Sequence, residues 1–158
     1  MKITHGISIL FFFISFLNPF LSFGQYEQDN ARNLIGVGVG TSYIKGSGEF
    51  AGSFRMRYMR TFGKNERFSI APAIGAVFDE DGHVSANLIY GYRPVDYLYL
   101  GLGPGVKFSG TGQVLFISYA EIIYEMDFRY FLAGPLFEYG WSPGNKHLMF
   151  GIHFGLPF

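Results

Sequence analysis

The sequence predicts an all-β fold: a closed, antiparallel, up-and-down barrel of eight strands that crosses a membrane. Three observations carry that prediction. Along the last stretch, Leu148, Phe150, Ile152, Phe154 and Leu156 fall on one parity and Met149, Gly151, His153, Gly155 and Pro157 on the other. A period of two over so many residues is a strand with two unlike faces. Turn signals recur at regular intervals along most of the chain. Finally, only 15% of residues are charged while 20% are aromatic. Globular domains carry about 25% charge, and a small water-facing surface needs it.

In chain order, the first segment is a secretory signal. Met1-Lys2 is a short basic start, residues 7–21 are almost wholly apolar, and Ser22-Phe23-Gly24 places small residues before an expected cut at Gln25. A membrane anchor helix needs about twenty apolar residues; this run is shorter and is broken by Asn18-Pro19. The division is therefore a cleaved signal peptide over 1–24, a polar periplasmic lead over 25–33, and a barrel over 34–158. Within the barrel, turns are expected at 45–48, 63–66, 79–82, 93–96, 109–112, 125–127 and 142–145. They separate strands near 34–44, 49–62, 67–78, 83–93, 96–108, 114–125, 128–141 and 146–158. Each is long enough for a tilted membrane strand of about nine to eleven residues.

Parity assigns the faces. Ile35, Val37, Val39 and Tyr43 oppose Gly36, Gly38, Gly40 and Ser42; Phe50, Phe54, Met56, Tyr58 and Phe62 oppose Ala51, Ser53, Arg55 and Arg57. Leu98, Leu100, Leu102, Val106 and Phe108 oppose Tyr97, Tyr99, Gly101, Gly103, Gly105 and Lys107. The small face is too weakly charged for a water-exposed exterior and suits a narrow lumen; the bulky face then meets lipid. Reversed faces would instead give a secreted soluble β-barrel that binds a lipid. Aromatics cluster near strand ends as interface girdles do: Tyr43, Phe50, Phe78, Phe108, Tyr139 and Trp141 at the outer rim, Phe62, Phe68, Tyr92, Tyr124 and Phe158 at the periplasmic one. A hairpin-length repeat places Pro72, Pro104 and Pro135 midway along odd-numbered strands, with Gly40 as the first counterpart. Each proline forfeits a ladder bond or forces a bulge.

Inward parity gathers the chemistry. Arg55, Arg57, Arg93 and Lys107 are expected to face Glu121, Glu138 and Glu125, near Tyr97, Tyr99, Asn87, His147 and His153. Charges in a narrow lumen must be paired, so these residues read as a salt-bridge plug and the chain is not a general porin. His83 and Ser85 share a strand face beside Asp79, an arrangement in which a carboxylate orients an imidazole and the imidazole activates a hydroxyl. The run from Asp79 to His83 lacks the later bidentate glutamate of a calcium loop and reads as a solvated turn. Without cysteine there is no thiolate metal site, disulfide or lipoprotein anchor. Neither metal nor cofactor is called for. Without Lys2 the mature chain has 12 − 1 = 11 basic and 12 acidic residues, which gives no electrostatic case for nucleic acid.

The signal peptide, eight alternating strands and a last strand ending at Phe158 together resemble the small outer-membrane β-barrel family, the class of the OmpA transmembrane domain. That resemblance covers the whole mature chain. It implies residence in the outer membrane of a Gram-negative envelope, contact with outer-membrane lipid and lipopolysaccharide, and delivery to the barrel-assembly machinery through the strand ending at Phe158. The resemblance identifies the architecture and not the job; the filled lumen and short loops point to a structural or interaction role. The His83-Val84-Ser85 run resembles the His-x-Ser of outer-membrane lipid A deacylases and gives a lipid A-modifying hydrolase or acyltransferase as the alternative. It departs from that motif in that Ala86, not Asn, follows Ser85. The three prolines suggest a weakened seam like that of outer-membrane palmitoyltransferase barrels, against a curvature-setting bulge.

Overall fold

A computed structural model describes residues 32–63, 65–80 and 82–158. The expected signal peptide and the lead as far as residue 31 lie outside the described residues, as do Lys64 and Asp81. The strands are β1 (Asn33–Ile44), β2 (Glu49–Phe62), β3 (Phe68–Phe78), β4 (His83–Val95), β5 (Leu98–Ser109), β6 (Val114–Tyr124), β7 (Met126–Asp127), β8 (Leu132–Ser142) and β9 (Asn145–Pro157). Every neighbouring pair is antiparallel, each strand from β1 to β6 lies beside the next in sequence, as do β7, β8 and β9, and β1 pairs with β9. A direct β6–β8 pairing completes the ring. The short β7 prolongs β6: Ile123 pairs with Leu136 and Met126 with Ala133, in one continuous register. The nine segments thus make eight staves of a closed barrel.

One predicted turn moves. The sequence expects the sixth at 125–127, and residues 128–131 are Phe-Arg-Tyr-Phe. The chain in fact runs straight through Glu125 and reverses between Phe128 and Phe131, whose backbones bond at 2.9 Å. Arg129 takes φ +74° there, and the Asp127 Oδ1 accepts its N–H at 2.7 Å. That carboxylate supports the left-handed conformation a glycine would adopt freely.

The mid-strand prolines open gaps rather than bulges. The β2–β3 ladder skips from Arg57↔Ala73 to Arg60↔Ile70, across Pro72. The β4–β5 ladder skips from Asn87↔Gly105 to Tyr90↔Leu102, across Pro104. The β6–β8 seam is interrupted opposite Gly134 and Pro135. Register is unchanged across each gap, so no residue is inserted. The ladders on the other side of each proline are continuous. Gly40, the proline-free counterpart, pairs with Gly151 in an unbroken β1–β9 ladder. There the backbones approach so closely that a Cβ on Gly40 would lie 2.1 Å from the Phe150 carbonyl oxygen. Among the described residues the only register shift is at the foot of β4, between Tyr92 and Val95.

The two faces divide by parity. Outward side chains such as Ile74, Leu102, Phe116, Phe150 and Ile152 are exposed, Leu102 by 64%. Inward ones are buried, and they include more apolar bulk than glycine and serine alone: Leu34, Met59, Ile89, Ile117, Ile123, Leu136 and Met149 form one interior cluster with Tyr99 and Tyr119. Met59, Ala71 and Ile89, directly behind the first two gaps, are wholly buried.

Candidate functional site

The lumen holds the chain's densest chemistry. Arg55 and Arg57 are two residues apart on β2 and so project from one face. Glu121 on β6 stands directly opposite Glu138 on β8. Two carboxylates facing each other across a ladder repel, and the arginines resolve that repulsion. In ring order β2 and β6 lie four staves apart, so these contacts cross the full diameter. Arg55 Nη1 reaches Glu121 Oε2 at 2.8 Å and Glu138 Oε2 at 2.5 Å. Arg57 Nη1 pairs with the other oxygen of Glu121. All four side chains are at most 5% exposed.

Glycines opposite make the room. A Cβ on Gly101 would fall 2.6 Å from the Glu121 side chain, and one on Gly36 would lie 2.6 Å from the His153 ring and 3.1 Å from Arg57. Aromatic rings complete the cage: Arg55 lies over Tyr119 at 4.5 Å from the ring centroid and Arg57 over Tyr99 at 5.1 Å. Such cation–π contacts add attraction where water is excluded.

From this centre the polar chain extends both ways. Toward the termini, Arg57 Nη2 approaches His153 Nδ1 at 3.3 Å, and His153 Nε2 lies 3.7 Å from Glu125 Oε1. Arg93 binds Glu125 Oε2 through Nε and Nη2 at 3.1 and 2.8 Å. Toward the opposite end, His147 Nε2 is 3.5 Å from Glu138 Oε1, and the His147 and His83 rings are 5.9 Å apart. His83 Nδ1 ends the series 3.6 Å from Asp79 Oδ1. Lys107 is also inside, opposite Ser85 across β4–β5.

The six expected lumen residues, Arg55, Arg57, Arg93, Lys107, Glu121 and Glu138, are thus all placed inside, with Glu125 and both histidines. Tyr97 is not. It falls in the turn before β5, is 48% exposed, and packs on Tyr124 at the barrel end. Strand parity does not reach it because β5 begins one residue later.

His83 and Ser85 are both buried and inward, but they do not form a base–nucleophile pair. Ser85 Oγ accepts from Tyr119 Oη at 3.0 Å and from Asn87 Nδ2 at 3.3 Å. Among the described residues, neither ring nitrogen of His83 has a hydrogen-bond partner. The Asp79–His83 turn gathers no metal-ligand set among the described residues, Asp81 being outside them.

Sequence reasoning missed a second feature. On the outward face at the end opposite the termini, a cleft of about 160 Å³ is lined by Tyr43, Lys45, Tyr139, Lys146, His147 and Leu148. The signal for it exists only once β1 and β9 are known to be neighbours, which brings Lys45 and Lys146 together.

No protein-family model matches this chain, and no curated protein matches it. Solved structures do. A de novo designed transmembrane β-barrel superposes with a TM-score of 0.59 at 12% identity, over 80% of this chain and 98% of that one. Neisserial surface protein A gives 0.58 at 10% identity, over 80% and 97%. Ail, the attachment invasion locus protein of Yersinia pestis, gives 0.52 at 16% identity, again over 80% and 97%. At such identities the likeness establishes the closed eight-stranded antiparallel barrel and nothing finer.

Proposed function

We propose that this chain is an integral protein of the bacterial outer membrane whose lumen is closed by its own side chains, with a structural or partner-holding role. The observation that carries the reading is the inversion of its faces. Charged side chains are sequestered inside while Leu102, Phe150 and their outward neighbours form an exposed apolar wall. A water-soluble barrel with that exterior would aggregate, whereas lipid is the solvent it suits. Aromatic pairs at the rims agree: Tyr43 with Phe50 at one end, and Phe62, Phe68 and Tyr92 in a row at the other. Contact with outer-membrane lipid and lipopolysaccharide, and recognition of β9 by the assembly machinery, follow as parts of the same proposal.

Transport is disfavoured by the ion-paired interior, since an eight-stranded lumen is just wide enough for its own side chains. Adhesion of the kind Ail's name describes would need reach, and no connection at the end opposite the termini exceeds four residues.

Fractionation and gel mobility test the location. The protein is expected in the outer-membrane fraction and to migrate differently before and after boiling; a soluble, heat-indifferent protein would overturn the reading. Planar-bilayer recordings test the plug, with no sustained open-pore current expected.

A further inference from the structure

We infer that the outward cleft between β1, β8 and β9 is a binding site for the phosphate-bearing headgroup of an anionic membrane lipid. Leu148 is its one aliphatic lining residue; its register partners are Tyr43 on β1 and Tyr139 on β8, one on each side. Lys45 lies two residues beyond Tyr43, and Lys146 two residues before Leu148, so both ammonium groups share that outward face on the loop side. The two lysines are adjacent, the Lys45 N–H donating to the Lys146 carbonyl at 2.8 Å.

Like charges set side by side across a ladder destabilise it, so the fold itself gains nothing from this pair. Neither makes an ion pair with a carboxylate among the described residues. Glu138, on the neighbouring strand, points inward to Arg55 and His147. Two uncompensated ammonium groups on the loop side of Leu148, with tyrosines on the strands either side, match an amphiphile: anionic oxygens at the lysines, carbon chain along the apolar wall. Three lining residues, Tyr43, Tyr139 and Leu148, have outward parity, which puts the cleft at the level of the Tyr43–Phe50 rim, where headgroups meet hydrocarbon. That placement selects a lipid phosphate over a free one. The inference rests on the membrane reading proposed above.

Trp141, the single tryptophan, faces outward and pairs with Lys146 in register, so it reports on this site. The experiment refolds the barrel into phosphatidylcholine vesicles and measures Trp141 quenching by brominated phosphatidic acid or brominated phosphatidylcholine. The heat-dependent mobility of the same sample is recorded first, and its absence would sink the membrane reading rather than the site. The wild type is expected to prefer phosphatidic acid by roughly thirty-fold, the scale of two cations close to anionic headgroups. K45A/K146A should abolish the preference while keeping heat-dependent mobility, and K45R/K146R should retain it. Equal quenching by the two lipids, or a preference surviving K45A/K146A, would overturn the site. Displacement by inorganic phosphate at equal concentration would overturn the lipid as its ligand.

Discussion

Glu121 shows what a single buried charge does here. Among the described residues it is the only carboxylate that pairs with both Arg55 and Arg57, and it is fully enclosed. Replacing it by glutamine keeps the volume but leaves Arg57 without a carboxylate, beside His153 at 3.3 Å and the Tyr99 ring. Stranding a buried charge costs about 3–5 kcal/mol. Glu121→Gln should therefore lower the urea unfolding midpoint, followed by Trp141 fluorescence, by that equivalent. Glu121→Leu combined with Arg57→Leu should recover much of it, because a matched apolar pair avoids the desolvation penalty. That these residues point inward is legible in the sequence, since alternation alone decides it. Which acid meets which base is not: Arg55 and Glu121 are 66 positions apart and on opposite staves. Nor is the apolar share of the interior legible, because Ile117 and Ile123 sit on a strand with bulky residues on both parities.

At the scale of the strand, alternation and turn chemistry give most elements to within two residues, because Gly48, Gly63, Gly82, Gly112 and Gly144 all take positive φ at the turns. The exception, the reversal at 128–131, has aromatic residues where glycine or asparagine is expected. The prolines were legible as disruptions, but the choice between bulge and gap depends on the neighbouring strand, which local sequence does not specify. Leu88 faces Pro104, which has no N–H to donate to β4. Pro104→Ala would supply that donor and should stabilise the barrel by about 0.5–1.5 kcal/mol. Hydrogen exchange in detergent provides the check: the Leu88 amide, which faces the gap, is expected to exchange faster than its neighbours in the wild type, and to slow in the variant. Uniform protection across β4 and β5 in the wild type would show the gap to be closed.

The whole barrel was the most legible level of all, since a charge-poor chain with a period of two and short turns has few other ways to satisfy its backbone in lipid. The position of the rim cleft was the least legible, because it needs the first and last strands side by side. The gaps also have a meaning for the ring as a body. All three lie between strands joined at the end that carries the termini, β2 with β3, β4 with β5, and the β6–β7 stave with β8. The hairpins closed at the opposite end, and the β1–β9 closure, are stitched without interruption. Under tension the molecule is therefore scored along three lines. Pulled from the carboxy terminus by an atomic-force tip, it should peel in hairpin-sized jumps, β8 leaving with β9, then β5 with β6, then β3 with β4. A tear that instead ran strand by strand would mean the three seams carry as much load as the rest.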